Sequence, residues 1–462
     1  MYWTYWVMPV QTVAHVMAAA RIGTRGTTPH VMKEPAVSRD WKALDNNILN
    51  AAWYTTPAYH DAFKALRDED PVHWAEDESF GRNYWVLSRH EDVKNYLLDH
   101  GRFSSRWDTR VPRSPKRRTP EEQHAQGWDI NVATIDPPLH TAYRRPINKH
   151  FSVPAIKKLG HDVTAIVDEI IADAAPRGQV DLVEDLCAEL PVRVILRMLG
   201  VPKEDWPMLR EASWQWLAAA DPRWTIDGDP VKTSLHGQKR LIDYCTDLAL
   251  DRRKNPKDDF ATIVGNLEMD GDPLSIHEMR VWFVTLIGGG LETTRNAAAV
   301  ALWLFMANPD QRELLMNDPD LVNPMIEEAL RWTTPAKNRL RIANEDLDLH
   351  GRRIRAGDWV IGLLASANKD ETVFPDPHRF DITRTPNDHL ALGTGIHLCL
   401  GRGLARLELA TLIPRVLKAF PDLHRTEAGE PDWIADTSVT GFTRMPVAFT
   451  PTDDPARLLG RA

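Results

Sequence analysis

Residues 275–308 constrain the fold of this chain more than any other stretch. Ser275-Ile-His-Glu278 reads as a capping box, in which the serine side chain accepts from a backbone N–H and the glutamate reaches back to the serine N–H. Asn308-Pro309 supplies a stop. The 34 residues from cap to stop correspond to about 50 Å of helix at 1.5 Å per residue. They are apolar around much of the circumference, so the helix is predicted to cross the middle of the molecule. Inside it, Gly288-Gly-Gly290 costs roughly 1 kcal/mol per glycine relative to alanine. Something there requires a close backbone approach or a local distortion.

Most of the remaining pattern is helical. Helical spacing recurs at residues 62–66, 90–98, 139–151, 155–174 and 182–199, with a short strand at 83–87. Residues 102–124 are polar, hold Pro112, Pro115 and Pro120, and read as a solvated loop; phosphate binding by Lys116-Arg117-Arg118 is the alternative. A second helix is predicted to start at Asn323-Pro324 and carries Glu328-Ala-Leu-Arg331. Strands are expected within 338–360 around the turn Leu349-His-Gly351, then a proline-broken coil at 374–380. A last helix at 400–420 contains Pro414, which is expected to kink or shorten it.

With 462 residues, 43% of them hydrophobic, a large core is available. The net charge of −9 argues against general nucleic-acid binding, which needs phosphate-neutralising cations. Cys187, Cys245 and Cys399 are too scattered for a disulfide framework or a structural zinc site, which fits a reducing cytoplasm. Residues 2–20 lack Asp, Glu, Lys and Arg but hold Pro9, Gln11 and His15 and no basic start, so a leader or an upstream extension is expected over 1–40 in preference to a membrane anchor. The catalytic domain is expected over 41–455, with a tail at 456–462.

Cys399 follows Gly393, Gly395 and His397 and precedes a helix, so unpaired N–H groups and the positive helix end would favour its thiolate. Such a thiolate can be a nucleophile, a metal ligand or a redox thiol. Leu392-Gly-Thr-Gly-Ile-His-Leu-Cys-Leu-Gly401 matches the F-G-x-G-x-H-x-C-x-G loop of the cytochrome P450 family at all but the first position. Glu328-Ala-Leu-Arg331 matches that family's E-x-x-R, and Gly289-Gly-Leu-Glu-Thr-Thr294 its central-helix motif. Asp136-Pro-Pro-Leu-His140 with Arg144, Arg341, and Ser366-Ala-Asn-Lys-Asp370 fall in the expected order. The chain therefore resembles the haem-thiolate monooxygenases over roughly residues 41–450.

The resemblance implies the cytochrome P450 fold, mainly α with small β-sheets, with haem b between the long central helix and the cysteine loop. It implies Cys399 as the iron ligand, Gly395 and Gly401 as points of close approach to the porphyrin, and His140, Arg144, Arg341 and His397 as partners of the haem propionates. Glu328 and Arg331 would be scaffold. Glu292 and Thr293 would be the acid–alcohol pair relaying protons in a locally widened helix, an intrahelical bond from the threonine being the alternative. Leu392 departs from the family's phenylalanine and is expected to leave ligation intact while altering the reduction potential.

The implied pocket holds Gly289, Leu291, Thr333, Thr334, Lys337, Val439 and Thr440 and suits a terpenoid, steroid, fatty acyl chain or aromatic. Lys337 and Asn338 could meet a polar group on the substrate or turn to solvent. Trp214, Trp216 and Trp224 could pack on a ring system or on neighbouring helices. Dioxygen would be co-substrate, with NAD(P)H electrons delivered indirectly by a separate ferredoxin or flavodoxin. Lys149, Lys157, Lys158, Arg402 and Arg406 could form its basic docking face, or an ordinary solvated one. A cytoplasmic monomer without nucleic-acid or membrane contact is expected. The alternatives are a haem-thiolate isomerase or peroxide-using catalyst, against which the Glu292-Thr293 pair speaks, and a non-enzymatic haem sensor.

Overall fold

A long helix, Ile276–Ala307, organises the molecule. The computed structural model describes residues 41–106, 109–110, 116, 118–269, 271–427 and 431–454; the predicted leader, the C-terminal tail and Arg117 lie outside them. The helix opens on a reciprocal cap, Glu278 N–H donating to Ser275 Oγ at 3.2 Å and Ser275 N–H to the Glu278 carboxylate at 2.7 Å. Every residue from Thr294 to Leu302 is buried, as in a helix surrounded on all sides. It packs against helices Arg402–Ala419, Val322–Thr333, Pro230–Lys254 and Glu189–Leu199.

Two of the three glycines, Gly288 and Gly290, answer to close approach, and the backbone stays α-helical through the triplet. A Cβ on Gly288 would sit 3.3 Å from the Trp216 ring, and one on Gly290 2.9 Å from Ile195 Cδ1. Trp216 is thus a packing residue, and Trp214 stacks on Trp224 with centroids 5.9 Å apart.

The main sheet runs Val72–Ala75, Tyr84–Leu87, Trp359–Leu363, Asn338–Ala343, Phe103–Ser104. Tyr84–Leu87 is parallel to Trp359–Leu363 and every other pairing is antiparallel. Strands Leu347–Leu349 and Arg352–Ile354 meet at His350-Gly351, both with positive φ.

Three local expectations need correction. The stretch 102–124 contains strand Phe103–Ser104 and helix Pro120–Ala125, the latter started by a Thr119/Glu122 capping box. The E-x-x-R helix begins at Val322, one residue before Asn323, because a turn at Pro319–Leu321 leads straight into it. Helix Arg402–Ala419 continues through Pro414 to Ala419, held by its buried neighbours Leu412, Ile413, Val416 and Leu417.

Glu328 and Arg331 are both fully buried. Arg331 donates twice to Glu328 at 2.8 Å and, through Nη1, to the carbonyls of Asn368 (2.8 Å) and Pro377 (2.9 Å). Glu328 also accepts from Asp381 N–H, Arg384 Nε and Asn387 Nδ2. Asn368 carries the network onward, accepting from Leu390 N–H at 2.7 Å on the chain leading to Cys399. With every lone pair engaged, the pair fixes the coil in place, and cutting it strands a charge without water. Arg331→Ala is expected to lower folding stability by about 3–5 kcal/mol; a denaturant midpoint within error of the native protein would contradict this.

Candidate functional site

Cys399 stands on the wall of a cavity of about 360 Å³. Its loop folds back because Gly393 (φ 69°) and Gly395 (φ 67°) take the left-handed conformation, and Cys399 N–H donates to the Leu392 carbonyl at 2.9 Å. A Cβ on Gly395 would lie 3.1 Å from the Leu97 carbonyl. Gly289, Gly290, Thr293 and Thr294 of the central helix form another part of the cavity wall, and Gly401 and Leu392 line it beside the cysteine.

The sulfur environment differs from the sequence expectation. Burial pushes the thiol up, outweighing the Gly401 N–H and Arg144, Arg339 and Arg402, which favour the thiolate. A metal that binds the sulfur must therefore displace its proton.

Basic and imidazole groups converge beside the loop. Arg144 donates to the carbonyl of Leu398 and, at 3.1 Å, to Asn148 Oδ1. Arg341 Nη1 donates to the carbonyls of Tyr96 (2.9 Å) and Leu97 (3.1 Å). The rings of His140 and His397 lie 4.6 Å apart, and neither Nε2 has a partner among the described residues although both atoms are buried. Burial, reinforced by nearby arginines, depresses His397 to about 2 and His140 to about 4. Orphaned buried imidazole nitrogens among guanidinium groups fit a ligand with two carboxylates, such as haem, whose negative charge would complete them.

Of the seven expected pocket residues, Gly289 and Val439 line the cavity and five do not. Leu291 is two residues, about 200° of helix, from Gly289, and its side chain is buried in the neighbouring core. Thr333 is buried at its helix end. The Thr334 hydroxyl donates to the Arg331 carbonyl at 2.8 Å, and that of Thr440 to the Thr334 carbonyl at 3.0 Å. Lys337 meets neither cavity nor solvent: its ammonium donates to the carbonyls of Asp436 (2.8 Å) and Val439 and lies 4.6 Å from the Tyr54 ring centre. Burial brings it down to about 8.

The helix is not widened at Thr293, whose hydroxyl donates to the Gly289 carbonyl at 2.8 Å. Glu292 is half-buried beside it. On the outer face Lys149, Lys157, Lys158 and Arg402 are exposed, whereas Arg406 is committed to Glu327. Among the described residues no helix is long and apolar enough to cross a membrane.

Sequence reasoning missed two groups on the cavity wall, Arg339 and Glu408. Arg339 could have been found from its place two residues before Arg341 in a strand. Glu408 could have been found as the one charge within Leu404-Ala-Arg-Leu-Glu-Leu409 that falls on the apolar side.

The Cytochrome P450 family profile matches residues 238–447. Among characterised proteins, Cytochrome P450-terp of Pseudomonas sp is 30% identical over 87% of this chain and 96% of its own length. Steroid C26-monooxygenase of Mycolicibacterium smegmatis is 34% identical over 83% of this chain and 89% of its own length. The crystal structure of CYP108D1 from Novosphingobium aromaticivorans has 29% identity and a TM-score of 0.77, covering 88% of this chain and 98% of that one. CYP268A2 of Mycobacterium marinum, in complex with pseudoionone, has 29% identity and a TM-score of 0.78 over 86% of this chain and 97% of that one.

Glu408 yields a pH test. Burial raises its carboxyl from the ordinary 4.5 to about 8, so between these values the folded chain keeps a proton that the unfolded chain releases. Its contribution is complete below about pH 4.5 and declines as pH rises towards 8. Glu408→Gln cannot lose that proton, so its melting temperature relative to the native protein is expected to climb between pH 5 and pH 8, about the same window, and then level off. Parallel melting curves across this range would refute the assignment.

Proposed function

The chain belongs to the cytochrome P450 family and is a haem-dependent monooxygenase, and on that premise we propose that it oxidises a lipophilic small molecule held between the central helix and Val439. The observation that carries the assignment of residues is the single cavity wall on which Cys399, Thr293, Arg144, Arg341 and His397 converge. Cys399 would hold the iron, with the Gly401 N–H tempering the sulfur's donation. His140, Arg144, Arg341 and His397 would hold the propionates, the two imidazoles through Nε2 atoms that lack partners among the described residues. When bound, haem supplies the metal centre at which dioxygen is reduced and one of its oxygen atoms passes to carbon.

The remaining work falls to this chain's own side chains. Thr293 must release the Gly289 carbonyl to present its hydroxyl proton to the cavity, and the neighbouring Glu292 would replenish that proton from outside. Lys337 and Arg295 place positive charge near Glu292. Ile195, Met198, Leu199, Leu286 and Ile287 give the cavity an apolar wall that excludes water and suits a hydrocarbon body. Relatives named for a steroid substrate and one seen with pseudoionone support a steroid- or terpenoid-sized molecule; fatty acyl chains and aromatics share its chemistry.

Electrons derived from NAD(P)H arrive through a redox partner. A ferredoxin or flavodoxin with an acidic face would dock on Lys149, Lys157, Lys158 and Arg402. Arg406 contributes less there, its charge being matched by Glu327.

Cys399→Ala is expected to abolish the thiolate-specific absorption band of the reduced carbon monoxide complex; persistence of that band would remove Cys399 as the ligand. With testosterone or pseudoionone as probe, whichever shifts the Soret band, Thr293→Val is expected to lower product formed per dioxygen consumed about fivefold or more, with the balance released as hydrogen peroxide. Unchanged coupling would exclude Thr293 from proton delivery.

A further inference from the structure

Arg339 and Arg341 stand two residues apart on strand Asn338–Ala343, so their side chains leave it on the same side, and both line the cavity. They are engaged differently. Arg341 is tied to the carbonyls of Tyr96 and Leu97, and Arg144 to those of Leu398 and the Asn148 side chain. The Arg339 side chain makes a single hydrogen bond among the described residues, from Nη1 to the carbonyl of its own neighbour Asn338 at 2.8 Å, and no carboxylate pairs with it there. Its Nε and Nη2 make no hydrogen bond among those residues. Burial and the nearby Arg110 bring its guanidinium down to about 10, which leaves it charged at neutral pH.

Among the described residues Arg339 has no matching carboxylate on the cavity wall, which Arg144 and Arg341 also line. Haem would bring two carboxylates, for which Arg144, Arg341 and the two histidines already offer donors. Cys399 would be neutralised by the metal. The one carboxyl lining the cavity among the described residues, Glu408, holds its proton up to about pH 8 and sits on the helix that follows the cysteine. An uncompensated guanidinium facing an apolar cavity is costly unless an anion arrives to meet it. A carboxylate matches its planar fork with two parallel hydrogen bonds.

We propose that Arg339 forms an anion-recognising end of the cavity that selects lipophilic substrates bearing a carboxylate and thereby sets which carbon is presented for oxidation. The proposal rests on the haem reading above. Leu340, Ala336 and Val439 supply the apolar surface next to the guanidinium along which the hydrocarbon body would lie.

The test uses the holoenzyme and two probes of equal chain length, an ω-imidazolyl fatty acid and the matching ω-imidazolyl alcohol. Both report through the Soret shift that follows when the imidazole reaches the iron, so binding is read without turnover. The acid is expected to bind the native enzyme at least about tenfold more tightly than the alcohol. Arg339→Gln is expected to erase that preference while the alcohol's affinity stays within about twofold, and Arg339→Lys to retain part of it. Equal binding of acid and alcohol by the native enzyme overturns the proposal, as does a preference that survives in Arg339→Gln. Faster haem loss from Arg339→Gln also overturns it, by assigning the guanidinium to a propionate. A chain that takes up no haem overturns the underlying reading and this one with it, whereas equal binding by a haem-loaded enzyme overturns the anion site alone.

Discussion

The fully buried ion pair of Glu328 and Arg331 is the constraint on which the site depends. Exposed on a helix, such a pair is worth a few tenths of a kcal/mol. Sealed from water, its value lies in the partners it forces into position: three backbone carbonyls or amides of the coil, Arg384, Asn387 and, through Asn368, the N–H of Leu390. Nine residues after Leu390 comes the cysteine. The loop that carries Cys399 closes on itself at Leu392 and is held by Arg144 at Leu398, while the chain leading into it is fixed by charges buried elsewhere.

What could be read from the chain alone follows from how local each signal is. The central helix was legible almost to the residue because its start and stop are side-chain to backbone contacts within one turn, at Ser275/Glu278 and Asn308. The cysteine loop was legible because two left-handed glycines and a cysteine are a demanding combination. The same capping logic at Thr119/Glu122 was hidden inside a basic, proline-rich run that resembled an unstructured loop. Pro414 does not end its helix, which runs on to Ala419.

Side-chain direction was the part that composition and spacing could not give. Lys337 looked like a polar contact for substrate, yet carbonyls of the 436–439 turn and an aromatic ring capture its ammonium. Leu291 shares a motif with Gly289 and points away from the cavity. Strand spacing puts Arg339 on the same side as Arg341, but only the tertiary structure shows that Arg341 is tied to carbonyls of another segment while Arg339 reaches no further than its own neighbour. The thiol of Cys399 shows the same limit: proximity to N–H groups and arginines suggested a thiolate, while enclosure decides the other way.

The three consecutive glycines of the central helix are not interchangeable. An indole blocks growth at the first and an isoleucine at the third, but nothing stands within 4 Å of where a side chain would emerge from Gly289. A methyl group at that one position enters the reaction chamber without moving a neighbour, and alanine suits a helix better than glycine by about 1 kcal/mol. The chamber therefore has a built-in adjustment, one carbon at a time, that trades room for the guest against nothing in the scaffold.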